Sequence, residues 1–437
     1  MQMVGSGVDI PAEHAAALVD PGAYADGRVL RTYAWLRANN PIGRAHPAGF
    51  DPFWVITRYA DVHEVSGDNK RFPVGNRSVT LVDKASEARI RAVTGGSPRL
   101  ARSLVAMDPP EHMKYRLLTH SWFSPKNLAK LDERIATLAR GAIAKLRGKT
   151  SCDFVAEVAL GYPLEVIMSM LGVPQEDFGL MLNLTQRAFA PLDPDHRPKD
   201  IDVDDPEAYA KALRAVSSEL HAYFARLTED RRANPRDDLA TVLANALVDG
   251  APLPKTNLMG YYSIIATAGH DTTSTTASAV MLALATQPDL LRRVQADRGL
   301  IPKLVEEGVR WASPVKCFMR SPTEPTELGG RRIEANDWMM LCYASANRDE
   351  SRIADGEVFS IDRPAFQHLG FGYGPHVCLG QHLARRELIA LFEALIPALK
   401  LVALAGEPQM TKSYFVNGLK YLPLRYELWD TPMPFAA

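Results

Sequence analysis

His368-Leu369-Gly370-Phe371-Gly372-Tyr373-Gly374-Pro375-His376-Val377-Cys378-Leu379-Gly380 is a stretch that neither a helix interior nor a strand interior accommodates. Four glycines within eleven residues, with a proline among them, describe a tightly folded backbone that uses positive φ and approaches a flat partner closely. Residues 381–396 follow with Leu383, Leu388, Leu391, Phe392 and Leu395 at helical spacing, so Cys378 stands just before a helix N-terminus. The dipole there favours an anion, which predicts a stabilised thiolate.

A thiolate in such a loop has four chemical readings: catalytic nucleophile, redox cysteine, zinc ligand, or axial ligand of a haem. The other cysteines are Cys152, Cys317 and Cys342, none at a C-x-x-C distance, so zinc and thioredoxin-type chemistry have little to stand on. A nucleophile needs a neighbouring base, and His376 is the local candidate. The residues alone leave that role open.

The pattern Phe371-Gly372-x-Gly374-x-His376-x-Cys378-x-Gly380 resembles, with no position missing, the haem-binding signature of the cytochrome P-450 superfamily. The resemblance implies haem b (iron protoporphyrin IX) with the Cys378 thiolate as metal ligand, a cradle at Gly372 and Gly380, and His376 on a haem propionate. Such a thiolate pushes electron density onto iron and favours O–O cleavage. The implied fold is mainly α with a small β region. It is a single cytochrome P-450 domain over residues 1–437, with a flexible segment at 1–20. The haem is expected between a long oxygen-binding helix and the helix after the Cys loop.

Composition is neutral on partners: 46% hydrophobic residues, 23% charged, and Lys+Arg 50 against Asp+Glu 51 over 437 residues, with nothing that points to nucleic acid. No charged amino-terminal segment leads into an apolar run, and no stretch of about eighteen apolar residues occurs, so neither a leader nor a membrane span is expected. Scattered cysteines fit a reducing cytoplasm. Within the superfamily this resembles the bacterial soluble type, which implies electrons from a ferredoxin and its NAD(P)H-dependent reductase. Lys114, Lys126, Lys130, Arg385 and Arg386 form the expected basic docking face.

Along the chain, helical spacing covers 28–39, 126–146, 154–171 with a break at Pro163, 178–189, 208–227 and 237–247, and Phe53 to Thr57 reads as a short strand before a helix. The Pro- and Asp-rich stretch 191–206 reads as a loop, either a lid or a solvated linker. His112 and Arg116 lie four apart, on one face of a helix that starts after Asp108-Pro109-Pro110. Such a pair is ordinarily a surface feature, but this segment resembles the family's propionate-holding helix. The family resemblance places Arg320 and His368 as further propionate contacts. Two carboxylates in an apolar cleft require such partners. Glu307 and Arg310, an E-x-x-R pair, and Arg363 are read as a structural charge network behind the haem loop.

Residues 261–284 are apolar and helical yet contain Thr267-Ala268-Gly269-His270-Asp271-Thr272-Thr273. Gly269 removes a side chain where a flat cofactor or O₂ approaches, and threonine hydroxyls back-bond to carbonyls and open the helix. The segment resembles the family's oxygen-binding helix, which implies Asp271 and Thr272 as the catalytic acid–alcohol pair: Thr272 toward dioxygen, Asp271 relaying protons. Many relatives carry Glu where this chain has Asp271. His270 is expected to face away, with no catalytic task.

The expected substrate pocket is apolar, from Ile264, Thr267 and Ala268 on that helix, Val315, Phe318 and Met319, and Phe415 and Val416, with Thr267 or Asn417 orienting a compact hydrophobic molecule. Lys316 is expected to point to solvent. Over nearly its whole length the chain resembles bacterial terpene hydroxylases, nearest the alpha-terpineol branch, on Tyr33 to Arg37, Ala266 to Thr273 and Val315 to Arg320. A monoterpenoid is therefore the first expectation for a monooxygenase here, and an aromatic or polycyclic hydrocarbon the second. A non-catalytic haem sensor is the alternative of another class, and Asp271-Thr272 weighs against it because a binder needs no proton delivery.

Overall fold

Apolar residues recurring at three and four positions give this chain its helices, and the structure, a computed structural model, describes residues 8–99, 102–189, 193, 195 and 206–431. Two helices occupy the expected residues, Arg28–Asn39 and Phe178–Phe189. Others divide. The 126–146 stretch becomes a short helix Pro125–Leu128, a tighter turn Ala129–Leu131 and the helix Asp132–Ala144. Over 154–171 a wide turn Val155–Ala159 precedes the helix Gly161–Leu171. Pro163 falls in that helix's first turn, where its missing N–H has no intrahelical role, so the break lies before it. The 237–247 stretch narrows to Leu239–Asn245 because Asp238 caps it, accepting the Thr241 N–H at 2.8 Å.

The segment expected to be flexible over 1–20 is packed from residue 8 onward. Ala12–Val19 is a helix with Leu18 fully buried, and the Ile10 N–H donates to the Arg44 carbonyl at 3.0 Å. The 191–206 loop lies outside the described residues except at Asp193, Asp195 and Pro206.

A four-stranded sheet joins distant parts of the chain in the order Ile42–Ala45, Phe53–Ile56, Trp338–Cys342, Cys317–Arg320, the middle pair parallel and the outer pairs antiparallel. Side chains alternate across it. Cys317, Met319, Trp338 and Met340 pack on one face with Tyr33 and Leu36, whereas Phe318, Met339 and Leu341 turn to the other, toward Tyr343 and Leu369. The larger apolar core is helical. It brings Ile167 of Gly161–Leu171, Tyr261 of Lys255–Ala268, Val280 of Asp271–Thr286, Leu304 of Ile301–Ala312 and Leu391 of Gln381–Leu395 into one cluster. Fully burying a side chain such as Leu391 contributes about 1.5–3 kcal/mol, which fixes these helices around the site. No helix among the described residues is long and apolar enough to cross a membrane.

Candidate active site

The glycine loop is held by its own backbone. Gly372 and Gly374 take φ of 70° and 71°, and a Cβ at Gly374 would lie 2.4 Å from the Ser66 carbonyl oxygen. The Cys378 N–H donates to the Phe371 carbonyl at 2.9 Å, closing the loop just ahead of the helix Gln381–Leu395. A Cβ on Gly380 would stand 4.0 Å from the Cys378 sulfur. Cys378 is exposed, yet enough protein surrounds it that desolvation raises its thiol pKa. Backbone N–H groups of Gly380 and Gln381, with Arg116 and Arg385, pull the other way, but burial outweighs them. The free thiol is thus not the stabilised thiolate that the helix dipole alone predicts.

Beside this loop the structure brings together His112, Arg116, His376 and Arg320. The helix Glu111–His120 presents His112 and Arg116 on one face. Arg116 donates to the Val377 carbonyl at 2.7 Å, and the His112 ring stacks on His376 at 4.2 Å between centroids. Both ring nitrogens of His112, Nε2 of His376 and Nε of Arg320 are buried without a partner among the described residues. Burial first, then the charge of Arg116, lowers the His112 pKa to about 4, and burial with Arg320 takes His376 to about 2. Neutral imidazoles and a guanidinium with unpaired nitrogens fit a ligand bearing carboxylates, and the two propionates of a haem are such acceptors.

His368 does not join them. Its Nε2 lies 3.1 Å from Glu306 and its Nδ1 accepts the Gly370 N–H at 3.1 Å, so both ring nitrogens are engaged and none is left for a propionate. Glu306 also takes Arg385 at 2.5 Å. Burial alone would raise its pKa, but His368 and Arg385 outweigh it and bring the carboxyl down to about 2.

The expected long helix is interrupted: Lys255–Ala268 ends and Asp271–Thr286 begins across Gly269 and His270. Thr272 and Thr273 hydroxyls donate to the carbonyls of Ala268 at 2.9 Å and Gly269 at 3.3 Å, carbonyls next to the break. A Cβ on Gly269 would sit 2.7 Å from Ile167 Cγ1, so this glycine makes room for the neighbouring helix instead of for a cofactor. Ile264, Ala268 and Thr272, four apart, are partly accessible and lie along one open stripe, with Ser263, Gly269 and Asp271 partly accessible beside them. His270 is fully buried, but it has more to do than expected: its Nε2 lies 3.1 Å from Asp271 Oδ1. Burial lowers its pKa and the Asp271 carboxylate raises it, with a net rise. Asp271 Oδ2 is buried without a partner. An acidic side chain next to a buried histidine was the readable signal for this pair.

Around the pocket the expected segments partly converge. Val315 bridges Val416, the Lys316 N–H donates to the Phe415 carbonyl at 2.8 Å, and the rings of Phe318 and Phe415 meet edge-on at 5.4 Å. Met319 is excluded, since strand alternation turns it into the core on the opposite face of the sheet. Thr267 is buried and donates to the Ser263 carbonyl at 2.7 Å, and one Asn417 N–H is taken by the Thr411 carbonyl. Lys316 points inward, not to solvent: its Nζ donates to the Ala312 carbonyl at 2.7 Å, at the end of the helix Ile301–Ala312, and burial lowers its pKa to about 7.

On the basic face, Lys114 pairs with Asp249, Arg385 with Glu306 and Arg386 with Asp132, while Lys126 and Lys130 are exposed. A surface cleft of about 590 Å³ bordered by Arg134, Phe178 and Asp238 contains none of the site residues.

The chain as a whole is similar to known proteins. Residues 47–426 match the family described as Cytochrome P450. The chain is 41% identical over 419 residues to cytochrome P450-terp of a Pseudomonas species, covering 95% of this chain and 98% of that one. It is 31% identical over 409 residues to linalool 8-monooxygenase of Pseudomonas putida, covering 93% and 97%. Among solved structures, CYP108D1 from Novosphingobium aromaticivorans superposes with a TM-score of 0.89 at 42% identity, covering 96% of this chain and 100% of that one.

Proposed function

Because the chain belongs to the cytochrome P450 family, and is therefore a haem-thiolate oxidoreductase carrying haem b, we propose that it hydroxylates a small hydrophobic substrate, a monoterpenoid first, with electrons from a ferredoxin. In this reading the Cys378 thiolate would hold the haem iron, and His112, Arg116, His376 and Arg320 would hold the propionates. The haem, when bound, supplies the iron that activates O₂. Each turnover takes up O₂, two electrons and two protons; one oxygen atom enters a C–H bond and the other leaves as water.

The protein's part is positioning, exclusion of water and proton supply. Val315, Phe318, Phe415 and Val416, with the open stripe Ile264 and Ala268, bury the substrate by apolar contact. Thr272 gives its hydroxyl proton to the Ala268 carbonyl and keeps the oxygen as an acceptor at the helix interruption, and Asp271 holds a proton at Oδ2 while His270 retains Oδ1. That interruption, with one carboxylate oxygen pinned and the other unpaired, is the observation that carries the monooxygenase reading. The terpene assignment is supported by the names of two relatives and by the apolar lining. The electron donor is proposed to dock over Lys126 and Lys130 in a cytoplasmic setting, since the other three basic residues are already paired within the chain.

The test is an absorption spectrum of the reduced, carbon monoxide-treated protein, then titration with terpenoids and aromatics. A strongly red-shifted Soret band is expected in the parent and absent in Cys378→Ala, and a terpenoid is expected to convert the iron from low to high spin. Loss of the band in correctly loaded parent protein would remove the Cys378 assignment. A spin shift given by aromatics alone would remove the terpene assignment.

A further inference from the structure

The strand Cys317–Arg320 and the residue before it divide between two faces. Cys317 and Met319, 1% and 0% exposed, pack into the core with Tyr33 and Leu36. Lys316, Phe318 and Arg320 alternate onto the other face, where Arg320 stands beside His112 and His376 and the Phe318 ring meets Phe415. The backbone of Lys316 is held on both sides, its N–H by the Phe415 carbonyl at 2.8 Å and its carbonyl by the Ala344 N–H at 3.4 Å. The strand pattern therefore extends to Lys316, and its side chain belongs to the face that carries the apolar lining.

That lining offers an ammonium almost nothing. Lys316 Nζ gives one N–H to the Ala312 carbonyl at 2.7 Å; its other two have no hydrogen-bond partner, and its charge no ion pair, among the described residues. The charged group that acts on it is Arg348, which repels it and is itself paired with Glu357 at 2.9 Å. Burial first, then Arg348, brings the Lys316 pKa down to about 7. Lysine is almost never buried without an opposite charge, and one helix-end hydrogen bond does not supply it. A neutral side chain would fill the same apolar space without the cost of desolvating an ammonium. What the arrangement lacks is an anion.

We propose that Lys316 is a specificity-determining residue that pairs with a carboxylate on the substrate, so that the protein selects a small hydrophobic acid, a terpenoid carboxylate, over the corresponding hydrocarbon. The inference rests on the monooxygenase reading and on the apolar pocket assigned with it. The carboxylate accepts the two N–H groups that the chain leaves over, and the hydrocarbon part lies against Phe318, Phe415 and Val416. Pinning one end of the molecule also limits which of its C–H bonds can be oxidised.

Limonene, perillyl alcohol and perillic acid share one carbon skeleton and differ in carrying a methyl, a hydroxymethyl or a carboxyl group. Each is titrated calorimetrically into the haem-loaded protein. Perillic acid is expected to bind about tenfold to a hundredfold more tightly than limonene, the worth of a hydrogen bond to a charged group, and Lys316→Met is expected to abolish that preference. Equal affinities in the parent, tightest binding by the alcohol, or a preference that survives in Lys316→Met overturns the proposal. A second readout needs no variant. At pH 7 a lysine with this pKa is about half neutral, and pairing with a carboxylate recharges it. Titrations in buffers of different ionisation enthalpy are therefore expected to show uptake of about half a proton with perillic acid and none with limonene. Binding of perillic acid without proton uptake overturns the pairing, and this measurement decides alone if Lys316→Met fails to load haem. A parent protein without the red-shifted Soret band overturns the monooxygenase reading, whereas a normal band with no preference for the acid overturns only the role of the lysine.

Discussion

Two buried polar clusters flank the same loop, and they differ in one respect. In the first, Arg310 is fully buried, donates twice to Glu307 at 2.7 Å, and gives its remaining N–H groups to the carbonyls of Asn347, Gly356 and Val358. Glu307 in turn accepts the Ser360 N–H at 2.8 Å and Arg363 at 3.2 Å. In the second, His112, His376 and Arg320 leave four buried nitrogens unpaired. An unmet buried donor or acceptor costs about 1–3 kcal/mol, so a fold keeps such a set where something outside the chain completes it. In the reading proposed above, the saturated cluster builds the protein and the unsaturated one receives the haem. The E-x-x-R spacing marks the first cluster in the sequence, but that the second stays unpaired is not visible there, because its side chains come from a helix, a strand and the cysteine loop.

That contrast can be broken by substitution. Arg310→Leu leaves Glu307 buried with only Arg363 beside it and is expected to destabilise the fold by about 3–5 kcal/mol in chemical denaturation; a variant as stable as the parent would mean the first cluster is not structural. His112→Phe has the opposite profile. Fold stability should hold or rise, while haem affinity, measured by transfer to a haem-free acceptor protein, drops about tenfold to a hundredfold through loss of a hydrogen bond to a charged group.

The same histidine gives the second cluster a pH signature. Its pKa falls from 6.5 in the unfolded chain to about 4 in the folded one, so below pH 6.5 the unfolded state binds more protons. Its contribution to the stability of the haem-free chain is therefore full above pH 6.5 and is lost as pH falls toward 4. Urea midpoints measured across that window should slope less in His112→Phe, and equal slopes would show that His112 is not held neutral. The smallest effect is expected from His368→Gln: about 1 kcal/mol of stability through the Glu306 contact, with haem affinity unchanged. A large loss of haem there would return His368 to the propionate set.

What the sequence made legible was local. The glycine loop, the thiol before its helix, and the helices at Arg28–Asn39 and Phe178–Phe189 follow from spacing within a few residues. Most of the misreadings depend on partners far along the chain, whereas Lys316 is held by a carbonyl only four residues back. Met319 and Phe318 are both large and apolar, and register against Trp338–Cys342 decides which one leaves the core. The same alternation, counted back from Arg320, would have placed Phe318 with it. His368 is taken by Glu306, Lys316 by the end of a helix, and the Gly269 space by Ile167. The run Thr272-Thr273-Ser274-Thr275-Thr276 in an apolar helix was visible, but which of its hydroxyls remain free emerges only from the folded backbone.

The sheets also set an order of events during synthesis. The Cys317–Arg320 strand, which carries Arg320, is bonded in its sheet only to Trp338–Cys342, and Ser151–Asp153 finds its one partner in Pro423–Leu428. A nascent chain emerging from the ribosome therefore has its early strands waiting, with exposed edges, for segments made far later. Arg320 and the cysteine loop, both parts of the proposed site, are made late in the chain, and the partner of Ser151–Asp153 is complete only once Leu428 has been translated. Cofactor capture is accordingly a late step, and a stalled or shortened chain would expose a strand edge while having no complete place to hold haem.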